Sequence, residues 1–373
     1  METFHWLFWI IIFFVFSSVG LASEPDRVIL DKTDDAVDAG AIIKRKQSFL
    51  AVPIPIADPT VGNGLGAVAL YLHPQRGDDT ISPGATSALF GMYTDTESWA
   101  VGLAHDDYWS ENKYRFTGVL GYGEFNLKYY GIGDNPIFGG KSIEYNFKAL
   151  AFIPKFQFRL FDSRWYVGAR YFYLNTYSTF KFSNINPGFP DLEGKTKTAA
   201  LGLVTSYDTR DNNYYPTRGS WFEFVASKYG DYVGGDFEYS KYTTFLNYYY
   251  PILRNLVLVG RIIGGLAEGN VPFFDLPTLN MRGFSMGRYR DNVAVSAHFE
   301  GRWRFYKRWG AIAFVEAGRI ADEISNLPDS SNVVSKGFGL RWLAAKAQGI
   351  NIGIDIAFGP ENTEYYIQVG EAF

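Results

Sequence analysis

The chain has 373 residues, of which 47% are hydrophobic and 18% aromatic, and its formal net charge is −4. The absence of cysteine excludes disulfide scaffolds, thiolate metal sites and cysteine nucleophiles, and the small negative charge offers no electrostatic footprint for nucleic acid. A mean hydropathy of −0.10 argues against a bundle of membrane helices. With 39 glycines besides, this composition leaves a β-sandwich, a large soluble barrel or a membrane barrel.

The first residues predict export from the cytoplasm. Residues 6–16 form an apolar run that is too short to span a bilayer as a helix. Gly20 and Ala22 follow it with the spacing of a signal-peptidase site. We therefore predict a cleaved secretory signal at residues 1–22. Because Glu2 and no Lys or Arg precedes the apolar run, an uncleaved anchor is the alternative.

Apolar and polar residues alternate with a period of two after a short polar segment. Residues 23–46 show neither a helical nor a strand period, and so short a segment rarely forms a domain of its own; we predict a short periplasmic segment. Further on, the isoleucines between Ile350 and Phe358 share one face, and Asn351 and Asp355 share the other. Such alternation is typical of strands with one apolar face, but soluble sheets show it too.

Strand length and aromatic placement favour a membrane barrel over a soluble sheet. The candidate strands are mostly longer than the roughly 5–6 residues of an average soluble strand. Aromatic residues cluster near their ends, as at residues 165–166, 248–250 and 365–366, which fits the two girdles of a membrane barrel. We predict an all-β, 16-stranded antiparallel transmembrane β-barrel of the outer-membrane type over residues 47–373, with room around 123–142 for one strand more or fewer. The predicted strands are 47–56, 63–73, 84–94, 97–108, 112–122, 143–161, 164–180, 196–209, 217–230, 237–252, 256–268, 288–306, 309–321, 335–344, 348–359 and 364–373.

The first and last predicted strands carry residues that weaken strand pairing. Pro53 and Pro55 lie in the first strand, where each removes a ladder donor, and prolines are confined to edges and bulges. Gly370 can weaken or kink the last strand. That strand ends on Phe373, an aromatic last residue of the kind that barrel-insertion machinery reads, with Glu371 as an irregularity on its apolar face. We predict a weak seam between these strands; prolines at a strand end outside the membrane band are the alternative.

Three ordered motifs follow in the second half of the chain. The loop between predicted strands eleven and twelve contains Met281-Arg282-Gly283-Phe284, and strand thirteen contains Phe314-Val315-Glu316-Ala317-Gly318. The turn between strands eight and nine contains Asp208, Arg210 and Asp211, followed by Pro216 and Gly219. The set resembles the signature of the BamA/TamA family, the bacterial surface antigen superfamily, with Glu316 where that family has Asp.

The resemblance implies a sixteen-stranded barrel whose loop between strands eleven and twelve folds inward. It implies that Arg282 is held there by acidic residues of the next two strands, here Glu300 and Glu316, in a loop lock that also includes Gly283, Phe284 and Gly318. Alternation places Glu300 on one face with Arg302 and Arg304. The alternative is therefore that Glu300 only balances these two arginines on a wet lumen wall.

The resemblance also implies a function at the outer membrane, namely assisting the insertion or translocation of protein or lipid through the weak seam. Assembly factors of the family carry POTRA domains before the barrel, and residues 23–46 are too few for one, so we expect a barrel-only member. A passive channel constricted by the loop and a structural surface-antigen barrel are the alternatives. The expected partners are outer-membrane lipid, the barrel-insertion machinery, and client proteins or a periplasmic partner.

No enzyme activity and no cofactor are predicted. Residues 283–287 fit the Gly-x-Ser-x-Gly pattern of hydrolases. That pattern needs a strand, a turn and a helix in succession, whereas a predicted strand follows here.

Overall fold

The structure is a computed structural model that describes residues 30–31, 36–37, 49–74, 76–133, 142–184, 189–212, 215–346 and 349–373. The predicted signal peptide and most of the predicted periplasmic segment lie outside the described residues. Within that segment Leu30–Asp31 pairs with Ala36–Val37 in antiparallel fashion. No helix in the described part of the chain is long and apolar enough to cross a membrane.

A single antiparallel sheet of sixteen strands contains most of the described residues. Each strand pairs with the next one along the chain, and the first and last strands lie side by side, with Cα atoms within 8 Å. The predicted all-β, 16-stranded barrel is confirmed. Its strands are β1 (Phe49–Asp58), β2 (Gly62–Leu72), β3 (Thr86–Thr94), β4 (Trp99–Trp109), β5 (Tyr114–Tyr129), β6 (Ile143–Arg159), β7 (Trp165–Phe180), β8 (Leu192–Asp208), β9 (Gly219–Tyr229), β10 (Tyr239–Leu253), β11 (Leu256–Gly269), β12 (Val293–Tyr306), β13 (Trp309–Ala321), β14 (Val333–Ala345), β15 (Ile350–Phe358) and β16 (Thr363–Val369).

The up-and-down order gives the barrel two distinct ends. The β1–β2 turn and the long β11–β12 connection of residues 270–292 lie at one end, which we call the loop end. The β2–β3, β4–β5 and β8–β9 connections and the residues after β16 lie at the other, the tail end. Short 3₁₀ turns occur only in connections of the described chain, at Phe182–Asn184, Asp231–Val233, Phe273–Asp275 and Ile324–Asp329.

Besides the end of the last strand, described below, two strand boundaries differ clearly from those predicted. β5 continues to Tyr129, so the region 123–142 lengthens an existing strand over its described part and adds no strand there. β12 begins at Val293 rather than at residue 288. The residues before it stay with the loop, because Arg290 bridges Thr278 and the Asp291 N–H donates to the Pro277 carbonyl at 3.1 Å.

The outer face of the barrel is apolar, and the inner face is polar on β15, whereas inward positions of the first strands also include buried apolar residues. On β15, Ile352 and Ile354 are 41% and 57% exposed, whereas Asn351 before them and Asp355 after them are fully buried. A soluble sheet would bury its apolar face and expose its polar one. This inversion favours the membrane barrel, with the apolar face toward lipid.

The ladder of hydrogen bonds is open between β16 and β1. The order of bonded strands starts at β1 and ends at β16, and no ladder joins these two within the described residues. Pro53 pairs with Ala67 and Pro55 with Leu65 in unbroken register. Because proline has no donor, the bonds to β2 come from the alternate residues of β1, and both proline nitrogens face the seam. The β1 edge therefore lacks donors at two successive positions toward β16.

The last strand is shorter than predicted, and the chain leaves the sheet after it. β16 ends at Val369, and Gly370 takes a φ of +86°, a conformation that favours glycine. Beyond it, Glu371 accepts a bond from Arg341 at 3.1 Å, and Phe373 is buried against the inward-facing residues Tyr249, Val257 and Val259. The prediction of a terminal strand that extends to Phe373 is therefore wrong, because the left-handed glycine and the buried acid turn this tail into the lumen.

We expect the seam to open more readily than the rest of the sheet. Amides of β16 should exchange with deuterium at least about tenfold faster than those of β3, a strand of similar length with a partner on each side, because opening an edge breaks fewer bonds. Exchange of the reconstituted barrel, read by mass spectrometry of peptides, measures this difference. Equal protection of β16 and β3 would contradict an open ladder.

Candidate functional site

The β11–β12 loop packs against inward-facing residues of the barrel. Leu279, Met281 and Phe284 are buried together with Ala294, Ile320 and Val333. Gly318 on β13 makes this approach possible, since a Cβ there would lie 2.8 Å from Leu279 Cδ2 and 2.9 Å from Met281 Sδ. A larger residue at Gly318 would push the loop off β13. The Phe284 ring also meets the Tyr289 ring edge-on at 4.9 Å, which stiffens the loop internally.

Arg282 lies at the centre of a buried ion network. Its Nη2 donates to Glu300 at 2.8 Å, its Nε to Glu316 at 2.8 Å and its Nη1 to Asp355 at 3.1 Å. Its backbone N–H donates to the other oxygen of Glu316 at 2.6 Å, and the guanidinium stacks 3.4 Å from the Phe314 ring centroid. Arg282 and its three acidic partners are all at most 2% exposed. The planar guanidinium group of arginine suits this arrangement, because it can donate hydrogen bonds to several carboxylates at once.

The network continues into the barrel wall. Arg302 donates to Oε1 of Glu300 at 2.8 Å, whereas Arg282 donates to Oε2 of the same carboxylate. Glu300 thus balances its strand neighbour and also contacts the loop. Arg341 donates to Asp355 at 3.0 Å and to Glu371 at 3.1 Å. Three buried arginines therefore alternate with four buried carboxylates, which compensates most of the desolvation of each charge.

Gly283 joins the loop to β16. Its N–H donates to the Tyr366 hydroxyl at 2.8 Å. Its φ is +103°, and a Cβ at this position would lie 2.9 Å from the Cα of Gly359 in the β15–β16 turn. Glycine is required here both by the backbone conformation and by the close passage of two chain segments.

The next two residues of the loop reach the opposite edge of the seam. The Ser285 hydroxyl donates to the Pro59 carbonyl at 2.9 Å, and the Met286 N–H donates to the Thr60 hydroxyl at 2.8 Å. Pro59 and Thr60 form the β1–β2 turn. The loop therefore bridges β16 and the β1–β2 hairpin, the two edges that share no ladder. We call residues 282–286 the clasp.

A second buried ion pair holds the start of the loop. The Lys241 ammonium donates to the Asp275 carbonyl at 2.6 Å and to its carboxylate at 3.1 Å, and the Tyr239 hydroxyl donates to the same carboxylate. Lys241 is 2% exposed and Asp275 is fully buried. The Tyr229 ring stacks on Tyr239 with centroids 4.0 Å apart. Sequence reasoning missed this anchor; the signal available was a lysine on the inward period of β10, which needs a partner.

The turn motif lies at the tail end, away from the clasp. Arg210 donates to both oxygens of Asp208, at 3.0 and 2.7 Å, and its guanidinium lies 4.0 Å from the Trp221 ring centroid. Asp211 accepts from the Thr217 N–H at 2.8 Å. These contacts shape the connection between β8 and β9.

The same turn depends on two backbone restrictions. Pro216 is buried within it. Gly219 has a φ of +105°, and a Cβ there would lie 2.3 Å from the Thr209 carbonyl oxygen. The motif residues thus meet one another in a compact turn, and no hydrogen bond of the described chain joins Asp208, Arg210 or Asp211 to Arg282.

The residues predicted for the seam are divided between two places. Pro53 and Pro55 lie on the edge strand, on its exposed side. Phe373 lies in the lumen, where its carbonyl accepts from Arg302 and its ring centroid is 5.9 Å from the Arg282 guanidinium carbon. Residues 370–373 therefore contact the ion network of Arg282 from the tail end of the barrel. This contact depends on the bend at Gly370.

Replacing Arg282 by alanine should destabilise the barrel. The change leaves three buried carboxylates short of a partner, and removal of one member of a buried ion pair costs about 3–5 kcal/mol. Urea unfolding followed by tryptophan fluorescence measures the loss. The control is Arg254→Ala in the β10–β11 turn, where the arginine is exposed, and which should cost less than about 1 kcal/mol. Equal losses would contradict the central role of Arg282.

The Lys241–Asp275 pair should behave as a coupled unit. Lys241→Met or Asp275→Leu alone strands a buried charge and should cost about 3–5 kcal/mol. The double variant should cost less than the sum of the two, since no charge remains unpaired. Urea unfolding of the four proteins gives the coupling free energy. Additive losses would show that the two side chains act independently.

Known proteins share this architecture, both in a family profile and in solved structures. The profile of the Omp85 superfamily domain matches residues 104–373. BamA from Haemophilus ducreyi, solved without POTRA domains 1–3, is similar in fold at a TM-score of 0.56 and 14% identity, over 88% of this chain and 71% of that one.

Two other solved structures share the fold. CdiB from Escherichia coli has a TM-score of 0.63 at 9% identity, over 87% of this chain and 62% of its own. CdiB from Acinetobacter baumannii has a TM-score of 0.54 at 10% identity, over 87% and 59%. This chain thus spans about three fifths of either CdiB. No curated protein matches it in sequence. Because the profile covers more than half of the chain, from β4 to Phe373, the predicted resemblance is confirmed, and the chain belongs to the Omp85 superfamily.

Proposed function

We propose that this barrel assists the insertion or translocation of protein or lipid at the outer membrane, through the seam between β16 and β1. The observation that carries the proposal is the clasp, which bridges two strand edges that have no ladder between them. Membership of the Omp85 superfamily supports it, since members are outer-membrane barrels that insert or transport proteins and are not enzymes.

The seam suits such a function because an open strand edge is a template for pairing. Unpaired backbone groups cost several kcal/mol each in the hydrocarbon region, and a strand that adds to the edge satisfies them. The prolines of β1 leave fewer donors at that edge than at β16. An incoming strand would therefore find more complete pairing along β16, whose described residues contain no proline.

The contacts of the clasp are unequal, and this decides how the seam opens. Arg282 is held by β12, β13 and β15 through buried ion pairs. The β1–β2 turn is held by the Ser285 hydroxyl and the Met286 N–H, ordinary hydrogen bonds worth about 1 kcal/mol each. Breaking the Arg282 network costs several times more. Opening therefore moves the β1–β2 hairpin away while the loop stays with β16.

The same contents of the lumen weigh against a passive channel. Arg282, Arg302 and Phe373 are buried inside the barrel and occupy part of its lumen. A channel would need the loop to leave, against the cost of stranding its buried partners. Stable single-channel currents from the wild-type protein in planar bilayers would favour the channel instead.

Locking the seam should abolish the activity. The chain has no cysteine, so one cysteine in β1 and one in β16 can be joined by a flexible bis-maleimide. In liposomes, the cross-linked barrel should lose its acceleration of folding of a small outer-membrane barrel, because the edges can no longer part. The same double-cysteine protein without cross-linker is the control. Unchanged activity after complete cross-linking would overturn a seam-based mechanism.

Weakening the clasp should act in the opposite direction. Ser285→Ala with Thr60→Val removes the bonds to the β1–β2 turn, and a change of one to two kcal/mol shifts a two-state equilibrium by about 5- to 30-fold. The rate of client folding should rise accordingly. Ser330→Ala is the matched control, since it removes a hydroxyl of the β13–β14 connection whose bond in the described part of the chain is to the Leu327 carbonyl.

A further inference from the structure

The outer face of β2, β3 and β4 carries a hydrogen-bonded polar cluster in an otherwise apolar surface. We call it the outer histidine patch; it consists of His73, Arg76, Ser87, His105 and Asp107. The outward positions around it are apolar and exposed, with Leu89 at 55% and Leu103 at 51%. Inward neighbours on the same strands, Ala88 and Ala104, are buried. The period of two therefore places the patch on the lipid side of the barrel.

Ser87 joins the two histidine rings. Its hydroxyl oxygen lies 2.9 Å from Nε2 of His73 and 2.9 Å from Nδ1 of His105. The ring centroids are 5.6 Å apart and nearly perpendicular, at 84°. The second nitrogen of each ring, Nδ1 of His73 and Nε2 of His105, has no hydrogen-bond partner in the described part of the chain. Both rings can therefore offer a further hydrogen bond to a ligand.

Arg76 adds a cation at the edge of the patch. It pairs with Asp107 at 2.5 Å while 62% of its side chain stays exposed. The loop that carries it is fixed to the β4–β5 turn by Asp79. This carboxylate accepts from the Ser82 hydroxyl at 2.6 Å and from the Glu111 N–H at 3.0 Å. These bonds, that from the Ser82 hydroxyl above all, lower the pKa of Asp79 to about 2, so it stays ionised and keeps the loop in place.

Aromatic residues place the patch near the lipid–water boundary. Trp109 and Tyr114 stack with centroids 5.9 Å apart at the tail end of β4 and β5. The guanidinium of Arg76 lies 5.9 Å from the Trp109 ring, and the ammonium of Lys113 lies 5.7 Å from the Tyr114 ring. Aromatic belts with flanking cations mark the headgroup level of a membrane protein.

The chemistry of the patch selects an anion with several acceptor oxygens. Two imidazoles, a guanidinium and a serine hydroxyl face one carboxylate, and that carboxylate is already paired with Arg76. Polar groups on the lipid face lower barrel stability unless they find a polar partner. A phosphate offers acceptor oxygens for whichever free ring nitrogen carries a proton and for the exposed side of Arg76.

We propose that the outer histidine patch binds the phosphodiester of a phospholipid headgroup in the leaflet at the tail end of the barrel. The acyl chains then lie along Leu89 and Leu103. Free inorganic phosphate shares the headgroup chemistry, but the adjacent apolar surface and the aromatic belt favour the lipid. The site lies on β2 to β4, outside the lumen, and does not depend on the seam or the clasp.

Native mass spectrometry of the purified barrel in detergent tests this site. The barrel is titrated separately with phosphatidylethanolamine, with phosphatidylglycerol, with a diacylglycerol that lacks the phosphate, and with inorganic phosphate. We expect the phospholipids to bind and the diacylglycerol to bind at least about fivefold more weakly, since it offers no acceptor oxygens to the patch. Binding of inorganic phosphate as tight as that of phospholipid would overturn the lipid assignment.

Variants place the binding on the patch. His73→Gln with His105→Gln, and separately Ser87→Ala, should weaken phospholipid binding by at least about fivefold, the equivalent of one hydrogen bond. The matched control is Arg254→Gln with Lys307→Gln, which removes two cations from other turns at the tail end and should leave binding unchanged. Heat-dependent gel mobility confirms that each variant is folded. Undiminished binding by folded patch variants, or equal loss in the control, would overturn the proposal.

Discussion

The guanidinium of Arg282 must find an acceptor for each of its donors inside the barrel, and this requirement organises the lumen. Its partners stand on β12, β13 and β15, so a single side chain fixes the loop against three strands. Each carboxylate that it uses is shared with a second arginine, a histidine or a backbone N–H. A buried charge that lost its partner would be costly, and the loop position is therefore strongly specified.

The clasp and the seam are two parts of one arrangement. Pro53 and Pro55 deprive the β1 edge of donors toward β16, and Gly370 ends β16 early. A barrel closed by so weak a junction needs another connection between its edges. The loop supplies it from the inside, through Tyr366 on one side and Thr60 on the other. The loop is held to β12, β13 and β15 by buried ion pairs but to the β1–β2 turn by ordinary hydrogen bonds, and this difference supports the proposed opening on the β1–β2 side.

The outer surface follows a different rule from the lumen. Inside, charges are numerous and compensated by one another; outside, the strands present apolar residues to lipid. The outer histidine patch departs from that rule at the level of the aromatic belt. Its two imidazoles share one serine and each keeps one nitrogen without a partner in the described part of the chain, which fits the proposed binding of a lipid headgroup.

The sequence by itself predicted the barrel and its sixteen strands, and the family resemblance implied the contacts of Arg282 with Glu300 and Glu316 that the structure contains. Alternation is a local property of the backbone, so Ile352 and Asp355 could be assigned to opposite faces without any tertiary information. The short motifs around Arg282 and Glu316 could be recognised for the same reason. Only the tertiary structure decided which distant residues meet. Asp355 lies 73 positions from Arg282, and Lys241 lies 34 from Asp275. Glu371, an irregularity in a straight strand, becomes the partner of Arg341 once Gly370 bends the chain. These contacts depend on the curvature of the sheet and on the position of the β11–β12 loop in the lumen. The alternation of apolar and polar residues along a strand specifies neither of them.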